Sequence, residues 1–208
     1  LEDYILVGSL RFYFSLLAAK TAYRTLQLTR LSAGTSIIGR YVLKLCPDFL
    51  KQCNPYISTK INVTGTNGKT TTSGLITHLI KESGKSVINN AMGANMLTGV
   101  VNAVAVSLNP CEQTDFSVIE SDEAYLAKIY DQFEADYLIV TNLFRDQLDR
   151  YGELATTKRL IQEGINKKRG LKLLLNADDP LVASFEGRNK IYYGIENVYY
   201  ACLLYTSP

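Results

Sequence analysis

An α/β fold with a mostly parallel sheet, preceded by a helical N-terminal segment, is what this sequence predicts, and three observations carry that expectation. From Lys60 onward, short runs rich in Val, Ile and Leu alternate with stretches of helical periodicity, the sequence form of βαβ units whose sheet is covered on both faces. One of these runs, Ile61–Thr64, passes into a glycine turn and then a helix, the arrangement of a phosphate-binding loop. The 208 residues are 47% hydrophobic and 20% charged, an ordinary globular composition. A chain of that length buries roughly 70% of its unfolded surface without disulfide or metal staples.

The elements follow in order. Between Phe12 and Arg30, apolar residues recur at Phe12, Leu16, Ala19, Tyr23 and Leu26, with Arg11, Lys20, Arg24 and Arg30 among them, which predicts an amphipathic helix. It either packs on the domain that follows or lies against an anionic membrane surface. Leu31 to Gly39 reads as a Ser/Gly/Thr-rich connector, and Tyr41 to Leu50 as a short helix broken at Cys46-Pro47. Beyond it, strands are predicted at Ile61–Thr64, Ser86–Asn89, Phe116–Glu120, Tyr137–Thr141, Leu171–Asn176 and Lys190–Tyr193. Helices are predicted at Lys69–Ser83, Asn95–Val106, Asp122–Phe133 and Glu153–Lys168. The organisation expected is a helical segment over 1–55, an α/β domain carrying the glycine turn over 56–200, and a tail, 201–208, that fits neither.

Charge and cysteine usage exclude several function classes. A formal net charge of +2 argues against a global nucleic-acid trap, which needs a strongly basic face. The near-neutral total conceals opposed segments: residues 1–60 hold eight basic and three acidic side chains, residues 111–153 three basic and eleven acidic. A basic N-terminus suits an anionic surface, and an acidic middle beside a phosphate loop suits a divalent cation. Cys46, Cys53, Cys111 and Cys202 form no CxxC pair, which points to a reducing compartment. The most apolar stretch near the start, Tyr4 to Ala19, is interrupted by Arg11 and is shorter than the ~20 residues a membrane span requires. A cytoplasmic protein without a transmembrane segment is expected, although the chain opens on Leu1 and not on Met.

The strongest local signal is Thr64-Gly65-Thr66-Asn67-Gly68-Lys69-Thr70-Thr71. Glycines at 65 and 68 let the backbone turn so that its N–H groups and the helix N-terminus converge on an anion. Lys69 supplies a point charge for the β- and γ-phosphates, and Thr70 a hydroxyl for Mg²⁺. The spacing is GxxGKT, shorter than the general GxxxxGK[ST] pattern. His78, the only histidine, lies on the same helix beside Leu75, Leu79 and Ile80 and reads as structural.

A magnesium ion in such a loop needs a carboxylate from a neighbouring strand end. Glu120 closes Phe116–Glu120 where ligands gather on a parallel sheet, and Asp122 and Glu123 read as acids in the first turn of the next helix. Thr141-Asn142 ends the following strand and leads into a charged run containing Arg145, Asp146, Asp149, Arg150 and Glu153; Asn176-Ala177-Asp178-Asp179 closes a later one.

Taken in order, these motifs resemble the Mur ligase superfamily, and the run from Thr141 to Glu153 resembles its MurT type, the synthetase subunit of lipid II isoglutaminyl synthase. The likeness runs from about Thr35 to Gly194. Two departures set the chain apart from the amino-acid-adding ligases, which carry DHxD where this chain has Asp146-Gln147-Leu148-Asp149, and a carbamylated lysine where it has Ile161 and Gln162. The resemblance implies ATP and Mg²⁺ as cofactors, with Gly65, Thr66, Asn67, Gly68, Lys69, Thr70 and Thr71 on the triphosphate, Thr70 and Glu120 on the metal, and Asn176 near the adenine. Lys69, Asn142, Arg145 and Asp149 would form the catalytic edge.

The activity implied is phosphorylation of the α-carboxylate of D-glutamate in the lipid II stem peptide, followed by attack of ammonia supplied by a GatD-type glutaminase partner. One histidine with no cysteine near it in sequence does not supply a glutaminase dyad. Other readings are a folylpolyglutamate-synthase-like ligase or a nucleotide-binding module without catalysis. The family also implies a zinc ribbon and a further domain. Cys202 has Tyr205 where a CxxC partner would stand, and the run 201–208 reads as a non-native tail on a truncated chain.

Overall fold

The computed structural model describes residues 8–28, 35–90, 94–144 and 153–195. Three helices come first: α1 (Leu10–Leu28), α2 (Thr35–Leu45) and α3 (Phe49–Cys53). Then β1 (Ile57–Thr64), α4 (Lys69–Glu82), β2 (Val87–Asn89), α5 (Leu97–Ser107), β3 (Thr114–Glu120), α6 (Leu126–Tyr130) and β4 (Tyr137–Val140) follow. The chain continues through α7 (Glu153–Lys167), β5 (Lys172–Asn176), α8 (Pro180–Ala183) and β6 (Asn189–Tyr193). The strands form one sheet in the order β2-β3-β1-β4-β5-β6, and every neighbouring pair is parallel. All six predicted strands are present.

This order explains where a ligand can sit. The chain leaves β1 for the β2 edge, returns through β3, and then crosses to β4 on the other side of β1. A sheet whose winding reverses beside a strand opens a crevice at that strand's carboxyl end. The register places Val63 beside Glu120 and Thr64 beside Val140, so the ends of β3 and β4 flank the start of the glycine loop.

Side-chain alternation divides the core between the two faces. Val63, Val118, Ile139 and Leu174 meet Ile76 and Ile80 of α4 on one face. On the other face, Leu138, Val140, Leu173 and Leu175 pack with Ile161 and Ile165 of α7. Ile57, Ile88 and Ile119 join a second cluster with α5 and the N-terminal helices. α1 therefore does pack on the domain: Phe12, Leu16 and Ala19 are buried, and the Phe12 ring stacks on Tyr56 at 5.7 Å and lies 5.3 Å from Phe49.

Three boundaries differ from the sequence expectation by four residues or more. The connector read over 31–39 gives way to helix from Thr35, although Gly39 disfavours a helix interior by about 1 kcal/mol. Gly39 is needed there because α2 presses on α5 so closely that a Cβ would stand 1.8 Å from the Thr98 carbonyl oxygen. The helix expected over 122–133 contracts to α6, since the Asp122 carboxylate accepts the Ala124 N–H at 2.9 Å and holds a turn. β1 begins at Ile57, four residues early, because buried Lys60 donates from Nζ to the Ile57 carbonyl at 2.9 Å in a stretch whose polar residues hide a strand. The break at Cys46-Pro47 falls between α2 and α3 as expected.

The packing of α2 and α3 buries Cys46 and Cys53. Burial, reinforced by the Asp48 carboxylate at 3.4 Å, pushes the Cys46 thiol up from 9.0 to about 11, and burial pushes Cys53 up as well. An acid whose folded value is raised keeps its proton in the native state while the unfolded chain has already lost it, so stability falls as pH rises across that interval. Urea midpoints are expected to decline between pH 9 and about 11, and Cys46→Ala to flatten that decline. Identical profiles for the two proteins would show that Cys46 does not drive it.

Candidate functional site

The loop between β1 and α4 is built on two glycines in the left-handed region. Gly65 has φ +124°, and a Cβ there would lie 2.3 Å from Thr141 Oγ1 and 2.8 Å from the Asn142 carbonyl. The backbone of β1 thus runs against the end of β4 with no room for a side chain. Gly68, at φ +80°, caps α4, and a Cβ there would meet nothing closer than Thr72 Oγ1 at 4.0 Å. The first-turn N–H groups of α4, from Lys69, Thr70 and Thr71, have no intrahelical acceptors, and together with the helix dipole they favour an anion over that open space.

Thr66 and Asn67 are placed differently from those donors. The Thr66 N–H donates to the Asn142 carbonyl at 2.8 Å, and the Asn67 N–H to Asn142 Oδ1 at 3.0 Å. Their backbone amides hold the loop to β4. Lys69 is also engaged: its Nζ donates to the carbonyls of Gly65 and Thr66 and pairs with Glu123 at 3.3 Å. With side-chain exposures of 13% and 16%, this pair sits largely out of water at the loop's flank.

Beside it, Thr70 Oγ1 donates to Glu120 Oε2 at 2.9 Å, and Glu120 is 3% exposed. A hydroxyl and a buried carboxylate in contact at the mouth of an anion-binding turn are the hard oxygen donors that Mg²⁺ takes, the rest coming from phosphate and water. The next residue, Ser121, has a buried Oγ with no hydrogen-bond partner, a spare oxygen at the same strand end. The donor set therefore fits Mg²⁺ bound together with a nucleotide. Among the described residues, no three His, Cys, Asp or Glu side chains converge on a metal site of their own.

Asparagines at three strand ends hold this geometry. Asn90, after β2, accepts the Glu120 N–H through Oδ1 at 2.7 Å and donates to the Glu120 carbonyl at 2.7 Å. Asn142, after β4, does the same to Asn67, accepting its N–H at 3.0 Å and donating to its carbonyl at 3.1 Å. A primary amide presents one donor and one acceptor in a plane, so it pairs with a peptide unit as a neighbouring strand would. Asn176, at the end of β5, donates to the Thr141 carbonyl at 2.9 Å and accepts the Asp178 N–H. Thr141 completes the brace, its hydroxyl donating to the Asn67 carbonyl at 2.7 Å.

The structure thus gathers Gly65 to Thr71, Glu120 and Asn142 at one edge, with Asn176 joined to it through Thr141. Arg145 and Asp149 lie outside the described residues, as do the DQLD run and the tail 201–208. Ile161 is fully buried in the core, and Gln162 exchanges hydrogen bonds with the backbone of Glu186, so neither occupies a metal-bridging role. Asp179 accepts from the N–H groups of Leu143, Leu181 and Val182, tying the end of β4 to the start of α8. His78 is exposed on α4.

Sequence reasoning missed two members of the site: Glu123 was expected to serve only as a helix N-terminal acid, and Asn90 was not singled out. Thr141 was noted as a strand end, without a role. Asn90, Asn142 and Asn176 share one visible signal, an asparagine closing an apolar run.

The family model described as Mur ligase middle domain matches residues 63–203. The lipid II isoglutaminyl synthase (glutamine-hydrolyzing) subunit MurT of Staphylococcus aureus strain COL is 38% identical over 165 residues, 78% of this chain and 37% of that protein. The subunit of the same name from Streptococcus pneumoniae is 34% identical over 189 residues, 90% of this chain and 42% of that one. The chain therefore spans about two fifths of the length of these relatives. Among solved structures, a UDP-N-acetylmuramoylalanyl-D-glutamyl-2,6-diaminopimelate–D-alanyl-D-alanyl ligase from Acinetobacter baumannii superposes with TM-score 0.60 at 14% identity, covering 74% of this chain and 34% of that one. MurF ligase from Thermotoga maritima, solved with ADP, superposes with TM-score 0.57 at 19% identity, covering 78% and 36%. These likenesses bear on the fold.

Proposed function

The chain belongs to the Mur ligase family through its middle domain, and from that premise we propose that it is the ATP-binding part of a cytoplasmic carbon–nitrogen ligase that amidates the α-carboxylate of D-glutamate in the lipid II stem peptide. The observation that carries the proposal is the contact of Thr70 with Glu120 beside the Lys69–Glu123 pair at the β1–α4 turn. Residues 56–200 form the ATP-binding domain in this reading, with the helices of 1–55 as its N-terminal segment, and a GatD-type glutaminase supplies ammonia.

The first turn of α4 and Lys69 would hold the β- and γ-phosphates, and Thr70 with Glu120 would hold Mg²⁺, which when bound would supply positive charge against the phosphate oxygens. A carboxylate oxygen of the substrate attacks the γ-phosphorus and ADP leaves, giving an acyl phosphate. Ammonia then attacks the carbonyl carbon, phosphate departs with the bonding pair, and the nitrogen loses a proton to leave a primary amide. Lys69 moves from its carbonyl partners to phosphate oxygens. Asn142 and Thr141 keep the turn in place, and Asn176 borders the adenine side.

The test is amidation of lipid II by the full-length polypeptide with its glutaminase, read by mass spectrometry. Amide formation is expected to require ATP and Mg²⁺, and ammonium salt to replace both glutamine and the glutaminase. ATP turnover that amidates no lipid II but extends a folate or another glutamate acceptor would move the chain to a different ligase of the superfamily. Nucleotide binding without turnover in any arrangement would reduce it to a binding module.

A further inference from the structure

α1 carries two apolar stripes. Phe12, Leu16 and Ala19 enter the core, whereas Leu10, Phe14 and Leu17 repeat at i, i+4 and i+7 on a face turned to solvent. α2 repeats the arrangement, with Ile38 and Val42 inward and Ile37, Tyr41 and Leu45 outward. Phe14 and Leu17 of α1 and Ile37, Tyr41 and Leu45 of α2 line one groove of about 710 Å³ between the two helices, and Leu10 lies outside it. Phe14, Leu17, Ile37 and Tyr41 are each at least 60% exposed. A contiguous apolar surface of this kind marks an interaction site.

Charge identifies the occupant. Across Leu10–Leu28 and Thr35–Leu45 stand Arg11, Lys20, Arg24, Arg40 and Lys44, with no Asp or Glu in either helix. A groove of apolar side chains between basic ones is the composition of a helix lying in an anionic bilayer interface, its apolar face among acyl chains and its cations at headgroup phosphates. A second copy docked on this face would oppose like charges across an apolar seam. No described helix is long and apolar enough to cross a membrane, which fits lying on the surface.

We propose that the α1–α2 face docks this protein on anionic lipid. The inference rests on these two helices and not on the reading of the nucleotide site. Cosedimentation of the full-length polypeptide with vesicles of phosphatidylcholine alone, or with phosphatidylglycerol added, tests it. Binding is expected to the anionic vesicles only and to weaken steeply with salt. The pair Arg24→Gln and Arg40→Gln is expected to weaken it about thirtyfold, and Leu17→Glu to abolish it. Each variant should keep its melting temperature and its ATP binding, because these side chains are exposed and away from the loop.

Equal sedimentation with neutral vesicles, wild-type behaviour of the variants, or no sedimentation at all would overturn the proposal. So would finding that the same variants break a complex with an acidic protein while vesicles bind nothing. ATP binding measured in the same samples separates either failure from a failure of the ligase reading.

Discussion

Lys69→Ala is expected to abolish ATP turnover while the protein still folds. The ammonium is the one full positive charge that the loop places within reach of transferring phosphate, and loss of a preorganised electrostatic partner of that kind slows chemistry by about 10²–10³-fold. The structural cost is smaller. Lys69 satisfies the Gly65 and Thr66 carbonyls and Glu123, and truncating it opens a gap at the loop's flank that water is expected to fill. Such a loss is worth about 1 kcal/mol, a fall of roughly 2–4 °C in melting temperature for a domain of this size. Phosphate release, calorimetric titration with ATP and a thermal melt measure the three quantities. Unchanged affinity and turnover would refute the assignment of Lys69, and a collapse of the melt would show that Lys69 serves chiefly to hold the loop.

Gly65→Ala should produce the largest stability change of any single methyl addition in the site. At φ +124° an L side chain is strained, and the new Cβ would stand 2.3 Å from Thr141 Oγ1 and 2.8 Å from the Asn142 backbone. Together these cost about 3 kcal/mol, a drop of roughly 6–12 °C in melting temperature. Relief requires β1 and β4 to separate at their ends, so ATP binding should fall with stability. Gly68→Ala is the control: its φ of +80° is also strained, but nothing lies in the way of the new methyl. About 1 kcal/mol is expected there. Equal losses at the two positions would show that backbone strain, and not the close approach of β4, governs the turn.

The sheet was legible because its central strands are buried on both faces and so appear as continuous apolar runs, as in Leu138–Val140 and Val118–Ile119, whereas the edge strand β6 is exposed along its length. The glycine loop was legible because local chemistry dictates it. What escaped depends on contacts between distant segments. Gly39 looks like a helix breaker until α5 is seen to need its missing side chain. Glu123 looks like a dipole partner for its own helix until the return of β3 beside β1 sets it against Lys69. Asn90 reaches Glu120 across a register that only the folded sheet defines. Motif reading found the groups that would face a ligand and overlooked those that hold them still.

The asparagine clips move the ordering of the nucleotide loop from the binding reaction into the folding reaction. Asn142 grips Asn67, Thr141 grips the same carbonyl, and Asn176 grips Thr141, so the loop is linked in series to β4 and β5. Linkage of this kind is reciprocal: whatever frays the β4–β5 rim weakens nucleotide binding from a distance, and bound nucleotide must stiffen that rim by the same free energy. The opening of β5 in hydrogen exchange thereby becomes a gauge of occupancy at a loop on the far side of β4.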